Sequence, residues 1–339
     1  FGKGAPASVE PLRAEFNAEM SRLLVFPDPP IHGRLRSGLA LAFGPSLAPL
    51  LQTAAKGTIA EALDKLESSP EPDIIRDFAY PVPSRILALL LGIDHADIDR
   101  FKQWTTDVLA LIGVPVGSEQ VVRRGHAAIM ALREYILDLL RDRRATPRDD
   151  MLGKLAAIDT KSADAELTDG NIIGLCYAMI LGGHESTTNL LGNSIQAILL
   201  DEDARAYILE RRGRISADGV TELVRFDGPF LSVIRRALHD TTIAERPIRA
   251  GEFVFSMITA ANRDPAAFSR PDRLDLAAPR RKHLGFGASI HSCIGLSMAR
   301  TIVQESLEQF FTRYPDASTD ARRCRWQRNL SMRGLDTFP

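Results

Sequence analysis

Apolar and polar residues in the first two-thirds of the chain recur with the spacing of an α-helix. The clearest segments are LRAEFNAEMSRLL, HGRLRSGLALAF and VVRRGHAAIMALREYILDLLRDRRAT. The second follows Pro29-Pro30, and the third ends in basic residues, as helix termini prefer. After Pro229 the pattern changes to short β-like segments, LSVIRRALH and EFVFSMIT, with a turn-rich stretch between them. The pattern predicts a mainly α protein with small β-sheets, in a single domain.

The longest predicted helix begins near Leu167 and runs for more than thirty residues without a proline, as LTDGNIIGLCYAMILGGHESTTNLLGNSIQAILLD. Thr168 or Asp169 can cap it, and its first half is apolar nearly all round, which indicates burial. Near its middle, Gly182-Gly183 precedes His184, Glu185, Ser186 and Thr187. Glycine weakens a helix and hydroxyls compete for carbonyls one turn back, so we expect a local opening of the hydrogen-bond ladder.

Two interpretations of this opening compete. A carboxylate and hydroxyls beside a buried glycine gap are typical of a small polar pocket with a route for protons. Alternatively, the two glycines let a neighbouring helix pass closely, and Glu185 faces water.

Composition and charge narrow the class of protein. The chain has 339 residues, of which 45% are hydrophobic, so it can bury a large core. Its formal net charge is −1, which argues against a nucleic-acid partner. The cysteines are three and far apart, so we expect a reducing compartment, the cytoplasm, rather than a disulfide framework. No apolar run reaches the roughly 18–20 residues of a membrane span, so no membrane association is expected.

The stretch HLGFGASIHSCIGLSMAR places Cys293 two residues after His291, among Gly285, Gly287 and Gly295. A zinc site needs about four ligands, and a cysteine hydrolase needs a base and an orienting partner. The sequence singles out neither set. A buried inert cysteine is the common case. An axial thiolate ligand of haem iron also fits, because glycines allow close approach and their amides donate to the sulfur.

Two charged pairs lie one helical turn apart. Glu222 and Arg225 share one face of a short helix, where an exposed pair contributes only tenths of a kcal/mol. His32 and Arg36, in DPPIHGRLR, also point the same way. That pair suits either an anion or a solvated helix face.

FGASIHSCIG resembles the haem-thiolate signature of cytochrome P450, F-G-x-G-x-H-x-C-x-G. DPPIHGRLR, GGHEST, ELVR and ANRDPAAFSRPDRLD resemble other stretches of that family, in the family order. The resemblance runs from about Leu24 to the C-terminus and is closest to the soluble bacterial type. It implies the cytochrome P450 fold as one haem-thiolate domain. About sixty residues that usually precede DPPIHGRLR are missing, so we expect the chain, which begins at Phe1, to be truncated or processed.

The resemblance also implies a role for individual residues. It assigns iron ligation to Cys293, with Phe286 and Gly295 beside the thiolate in the haem-binding loop. The positions that hold the haem propionates are His32, Arg36, Arg235 and His291. The acid–alcohol pair beside bound dioxygen is Glu185 and Ser186, and the substrate-lining positions are Ala178, Leu181, Leu231 and Val233. A buried structural triad comprises Glu222, Arg225 and Arg273.

The implied activity is a monooxygenase that uses haem b and O2 to insert one oxygen atom into an apolar small molecule. Electrons would come from a ferredoxin or flavodoxin with its reductase. A non-oxygenating haem protein, acting as a sensor or recruiting partner, and a peroxide-driven enzyme are the alternatives. Two departures stand out. Ser186 replaces the usual threonine and lacks the methyl that fixes its rotamer. Ser289 replaces a glycine, which predicts either an unusual backbone geometry or a slightly shifted loop.

The electron donor is expected to dock beside the cysteine loop. Arg280, Arg281 and Lys282 precede this loop and Arg300 follows it, which suits an acidic carrier protein. We predict that the Arg280/Arg281/Lys282 triple alanine variant is reduced more slowly than wild type at low salt. The two rates should converge at high salt, because the Debye length is ~10 Å at 0.1 M. Stopped-flow reduction by a ferredoxin checks this, and equal rates at low salt would place the donor elsewhere.

Overall fold

Thirteen α-helices and three two-stranded antiparallel sheets form the part of the chain that the computed structural model describes. That part comprises residues 7–44, 47–112, 118–160, 166–279, 282–327, 329 and 331–339. The helices are α1 (Glu10–Met20), α2 (Ile31–Ala42), α3 (Leu47–Ser68), α4 (Pro81–Leu91), α5 (Ile98–Ile112), α6 (Glu119–Ala145), α7 (Met151–Ala156), α8 (Asp169–Gly183), α9 (Glu185–Leu200), α10 (Glu202–Glu210), α11 (Ala217–Asp227), α12 (Ile258–Ala261) and α13 (Leu296–Arg313). The predicted fold class, mainly α with small sheets, is confirmed.

The sheets follow α11 in the chain. The strands are β1 (Ser232–Arg236), β2 (Thr241–Ile243), β3 (Arg246–Ile248), β4 (Phe253–Met257), β5 (Arg325–Trp326) and β6 (Leu335–Thr337). β1 pairs with β4, β2 with β3, and β5 with β6. Val233 and Arg235 lie two residues apart on β1 and therefore share one face of the sheet.

The β2–β3 hairpin lies inside the stretch that the sequence pattern identified only as turn-rich. Its turn is formed by Ala244 and Glu245, both with positive φ (46° and 65°). Asn-Gly or Asp-Gly is the usual signal for such a turn. Both strands are largely exposed, so they carry no alternation of buried and exposed residues either. The pattern therefore held no signal for this hairpin.

The long predicted helix is divided at His184 into α8 and α9. Thr168 caps α8 in a capping box with Asn171, as the sequence indicated in part. The hydroxyl of Ser186 donates to the carbonyl of Gly182, one turn back, at 2.7 Å. In a continuous helix the backbone N–H of Ser186 would donate to that carbonyl. The predicted opening of the ladder is confirmed, and it is a complete break rather than a bend.

The two halves of this helix run through the hydrophobic core. Tyr177 and Ile180 of α8, and Leu191 and Ile195 of α9, are at most 1% exposed. α9 packs against α10, α11 and α13, while α8 contacts α2, α4, α5, α6 and α7. The break therefore lies where most of the helices converge.

The Arg225 guanidinium joins α11 to the loops that follow the first sheet. Two of its N–H groups donate to the Glu222 carboxylate at 2.7 and 2.8 Å. The other three donate to the carbonyls of Asn262, Pro271 and Arg273, at 2.8–3.0 Å. All five donors of the guanidinium are thus used. The side chains of Arg225 and Glu222 are 4% and 11% exposed, so the surface-pair interpretation is wrong.

Arg273 requires a correction to the implied side-chain triad. It contributes its backbone carbonyl to Arg225, while its own guanidinium is 51% exposed and donates to Asp203 at 2.7 Å. Both oxygens of Glu222 already accept from Arg225, and a second buried cation would repel the first. The Arg273 side chain therefore forms an ion pair at the surface.

Within the described part of the chain, no single helix has the length and apolar character to cross a membrane. One pair of helices, α2 and α3, bent by 63° relative to each other, passes the same test of length and composition when taken together.

Replacing Arg225 with methionine should lower the free energy of unfolding by about 3–5 kcal/mol, because Glu222 and three carbonyls lose their buried partner. Arg141→Met is the matched control. Arg141 forms a pair with Asp138 at the same helical spacing, but both side chains are about two-thirds exposed (66% and 68%). That variant should change stability by no more than about 0.5 kcal/mol. Urea denaturation measures both, and similar losses would show that burial does not decide the strength of the pair.

Candidate active site

The glycine-rich loop before α13 folds back on itself around Cys293. The Cys293 N–H donates to the carbonyl of Phe286 at 2.7 Å, which closes the loop and brings the two residues together. The start of the loop is held by Asn262, whose side-chain oxygen accepts from the Leu284 N–H at 2.8 Å. Gly287 has a φ of 73°, and a Cβ there would lie 2.5 Å from the carbonyl of His291. Only glycine fits that position without distortion.

The Cys293 thiol is free and has access to solvent on one side. Partial burial raises its pKa above the ordinary value, while the Gly295 N–H and the positive charge of Arg36 lower it. Burial has the larger effect, so the free thiol is protonated at neutral pH. α13 begins three residues later, and the positive end of its dipole favours a thiolate once the proton leaves.

Basic side chains from three elements lie at the cysteine loop. His32 and Arg36 come from α2, Arg235 from β1 and His291 from the loop itself. The rings of His32 and His291 meet edge-on, with centroids 4.7 Å apart. The pKa of His291 is lowered first by burial and then by the charges of His32, Arg235 and Arg36, against a smaller opposite effect of Asp28. The structure therefore brings together all four residues that the resemblance assigned to the propionates.

His32 itself is 2% exposed, and its Nε2 has no hydrogen-bond partner among the described residues. A buried polar atom without a partner is unfavourable, so this nitrogen indicates a place for an anion or another polar ligand. The anion-binding interpretation of the His32 and Arg36 pair fits the structure better than a solvated face.

Ser289 has a φ of 55°, in the left-handed region. This is the unusual backbone geometry that its replacement of a glycine predicted. The strain lies in the tight turn that positions His291 and Cys293.

Glu185 and Ser186 begin α9 at the helix break. Ser186 is held by its bond to Gly182, and burial raises the pKa of Glu185 above its ordinary value. Glu185 forms no hydrogen bond or ion pair with a described residue. A half-buried carboxyl beside a fixed hydroxyl favours the polar-pocket interpretation over a solvated Glu185.

The four substrate positions lie on two elements. Ala178 and Leu181 are three residues apart on α8 and share one of its faces. Leu231 and Val233 alternate with Arg235 along the same side of β1 and the residue before it. An apolar surface thus leads along this strand toward a cation. The assignment of these four positions to substrate stays a prediction.

The other interpretations of the cysteine fit the structure less well. Among the described residues, no cluster of three or more His, Cys, Asp or Glu side chains is placed to hold a metal ion. Cys176 is completely buried in α8, and burial raises its pKa to about 12. Cys324 lies far along the chain, near Thr319. The donor set at Cys293 fits haem, since a soft sulfur, close-packed glycines and a cationic cluster with an unpaired His32 nitrogen are all present.

The expected docking surface for an electron donor is described only in part. Arg280 and Arg281 lie outside the described residues, and Lys282 is exposed. Arg300 donates to the Thr221 hydroxyl at 2.6 Å and lies over the ring of Phe286, with 5.8 Å to the centroid. Arg300 therefore braces the cysteine loop against α11, and its role in docking stays a prediction.

Sequence reasoning missed two groups of residues. Asn262 lies in the stretch ANRDPAAFSRPDRLD, but no role was assigned to it, and only its position in space shows that it links Arg225 to the cysteine loop. Tyr80 and Lys102 lie far from His184 in the sequence. The fold brings the Tyr80 ring against the His184 ring, and the Lys102 ammonium over the Tyr80 ring. No local pattern indicated either group.

Comparison with known proteins agrees with this geometry. Residues 219–318 match the family model of Cytochrome P450. The polyketide biosynthesis cytochrome P450 PksS of Bacillus subtilis is 30% identical over 318 residues, which cover 92% of this chain and 76% of PksS. The 6-deoxyerythronolide B hydroxylase of Saccharopolyspora erythraea is 31% identical over 314 residues, with 92% and 76% covered. The chain belongs to the cytochrome P450 family.

Solved structures show the same relationship. The structure of PksS superposes with a TM-score of 0.87 at 27% identity and covers 97% of this chain and 84% of PksS. That of P450BioI, in complex with an acyl carrier protein that carries hexadec-9Z-enoic acid, gives 0.85 at 27% identity, with 96% and 82% covered. The predicted fold is thereby confirmed in its family as well as its class. The protein is a P450 monooxygenase with haem as its cofactor.

Replacing Ser289 with glycine should raise the free energy of unfolding by about 0.5–1 kcal/mol. The left-handed conformation costs a residue with a Cβ roughly 1–2 kcal/mol, and the greater entropy of unfolded glycine offsets about 0.5–1 kcal/mol of the relief. Ser292→Gly is the control, because Ser292 has a φ of −56° and its hydroxyl donates to the Ser289 carbonyl. Urea denaturation should show a loss of stability for the control. A loss in Ser289→Gly as well would mean that the serine side chain stabilises the turn.

Proposed function

We propose that this enzyme inserts one oxygen atom of O2 into an apolar small molecule, with Cys293 as the iron ligand. The observation that carries the proposal is the cysteine loop, in which the bond from Cys293 to Phe286 and the Gly295 amide hold the thiol in place. When bound, a thiolate-ligated haem supplies dioxygen activation and oxygen insertion.

His32, Arg36, Arg235 and His291 would hold the two propionates of the cofactor. The positive charges of Arg36 and Arg235, together with the ring nitrogens of His32 and His291, match carboxylate groups. Phe286 would pack against the thiolate side and shield the sulfur from water. Loss of the Cys293 proton accompanies ligation, since the thiolate is the metal ligand.

Glu185 and Ser186 would control protons on the opposite side of the cofactor. The Ser186 hydroxyl, which donates to Gly182, keeps one lone pair free to accept from water. Glu185 has a raised pKa and so exchanges a proton nearer to neutral pH than an exposed carboxyl does. Together they would order a water molecule and deliver protons. The break in the helix would leave room for that water.

The substrate would be held mainly by apolar contact. Ala178, Leu181, Leu231 and Val233 offer no polar side chain, so a bulky apolar molecule fits better than a charged one. Relatives are named as hydroxylases of particular compounds, such as 6-deoxyerythronolide B hydroxylase, mycinamicin IV hydroxylase/epoxidase and vitamin D(3) 25-hydroxylase. A natural product, terpenoid, steroid or fatty acid is the proposed substrate class. The proposed electron donor is a ferredoxin or flavodoxin with its reductase, in the cytoplasm.

Cys293→Ala should abolish the strongly red-shifted Soret band that the reduced, CO-bound protein gives with a thiolate ligand. Cys176→Ala and Cys324→Ala are the controls and should leave the band unchanged, because one thiol is buried in α8 and the other lies far along the chain. Absorption spectra of the three variants decide the matter. A normal band in Cys293→Ala would refute the assignment of the ligand.

Ser186→Ala should keep substrate binding but divert reducing equivalents to hydrogen peroxide, because the ordered hydroxyl is lost. The full contribution of such a group is typically ~10²–10⁴-fold, and a water can replace part of it. Ser186→Thr should improve coupling or leave it unchanged. The ratio of product to NAD(P)H consumed measures coupling. Equal coupling in wild type and Ser186→Ala would assign proton delivery to Thr187 or to water. Turnover driven by peroxide alone would favour the peroxide-driven alternative.

A further inference from the structure

A second polar cluster lies on the α4 and α5 side of the helix break and has no part in the haem site described above. His184, between α8 and α9, is 3% exposed. Its ring meets the edge of the Tyr80 ring, with centroids 4.7 Å apart. Tyr80 directly precedes α4, and the ammonium of Lys102, on α5, lies 4.3 Å from its ring centroid. The cluster therefore runs from an exposed lysine to the residue next to Glu185.

Two polar atoms in this cluster are buried and have no hydrogen-bond partner among the described residues. They are Nε2 of His184 and the phenol oxygen of Tyr80. The hydroxyls of Thr106 and Ser84 lie near enough to the phenol to lower its pKa, but they donate their own protons to the backbone carbonyls of Lys102 and Tyr80, at 2.9 and 2.6 Å. Buried polar atoms on two rings that are in contact are typical partners of an internal water.

The charges around the cluster keep its groups neutral. Burial, and then the charge of Lys102, lower the pKa of His184 to about 4. Burial raises the pKa of Tyr80 to about 12, and the nearby carboxylates of Glu185 and Asp99 act in the same direction. A neutral imidazole offers one donor and one acceptor, and a neutral phenol offers both. Each can therefore bind a water in either orientation.

We propose that Tyr80 and His184 are positioning residues that hold a water beside Glu185 and orient it for proton exchange with that carboxyl. In this step the water gives a proton to the Glu185 carboxylate and recovers one from solvent on the Lys102 side, so one proton enters the site. Tyr80 and His184 keep their own protons. This inference rests on the proposed function, because the water would deliver protons to Glu185, which is the acid of the proposed Glu185–Ser186 pair.

Two ring-preserving variants test the proposal. Tyr80→Phe and His184→Phe remove the polar atoms and keep an aromatic edge contact. Tyr314→Phe is the matched control, since its half-buried phenol donates to the Leu63 carbonyl, on α3. Infrared titration of the haem-loaded protein, with Glu185→Gln to identify the band, reports the pKa of the Glu185 carboxyl. Loss of one hydrogen bond to the carboxylate should raise that pKa by roughly 0.5–1 unit in both test variants and leave it unchanged in the control.

The same variants should produce more hydrogen peroxide per product, by roughly 2- to 12-fold, which is the rate equivalent of one net hydrogen bond. Substrate affinity should stay at the wild-type value. An unchanged pKa of Glu185 in both variants would overturn the proposal, as would unchanged coupling. These outcomes are separate from failure of the proposed function, because the latter would appear as a missing red-shifted Soret band in the wild-type protein itself.

Discussion

The buried guanidinium of Arg225 is the interaction on which the cysteine loop depends. It uses all five N–H donors, and three of them hold carbonyls in the loops after the first sheet. One of those carbonyls belongs to Asn262, whose side chain fixes the N–H of Leu284 at the start of the cysteine loop. A buried cation is tolerated only when it is fully paired, so this network is rigid by necessity. The position of the Cys293 thiol follows from that rigidity.

The break at His184 places polar groups inside the apolar core, which the rigid Arg225 network does not do. A continuous helix would satisfy its own carbonyls and leave no polar group inside the core. Here Ser186 bonds to the Gly182 carbonyl and His184 separates the two halves, so polar atoms enter an apolar interior. The same low dielectric that raises the pKa of Glu185 strengthens every hydrogen bond made there. The break that weakens the helix is therefore also the reason why the proposed site has polar groups.

Opposite electrostatic environments meet at the proposed site. Arg36 of α2 and Arg235 of β1 place positive charge near His291, while the cluster of Tyr80 and His184 is neutral and shielded by burial. A cofactor that is anionic at one edge and apolar elsewhere suits this division. The apolar positions on α8 and β1 then leave substrate recognition to shape more than to charge.

The fold class and the opening of the long helix could be predicted from the sequence, and the pattern around Cys293 could be recognised as a resemblance, because each has a local signal. Helical spacing, the Gly182-Gly183 pair and the pattern around Cys293 are all readable within a few residues. The tertiary structure decided the rest. In the folded chain the E-x-x-R pair is buried as part of the Arg225 network, the Arg273 side chain lies at the surface, and Tyr80 lies beside His184. Burial and contacts between distant segments depend on how the helices pack, and no local pattern records that.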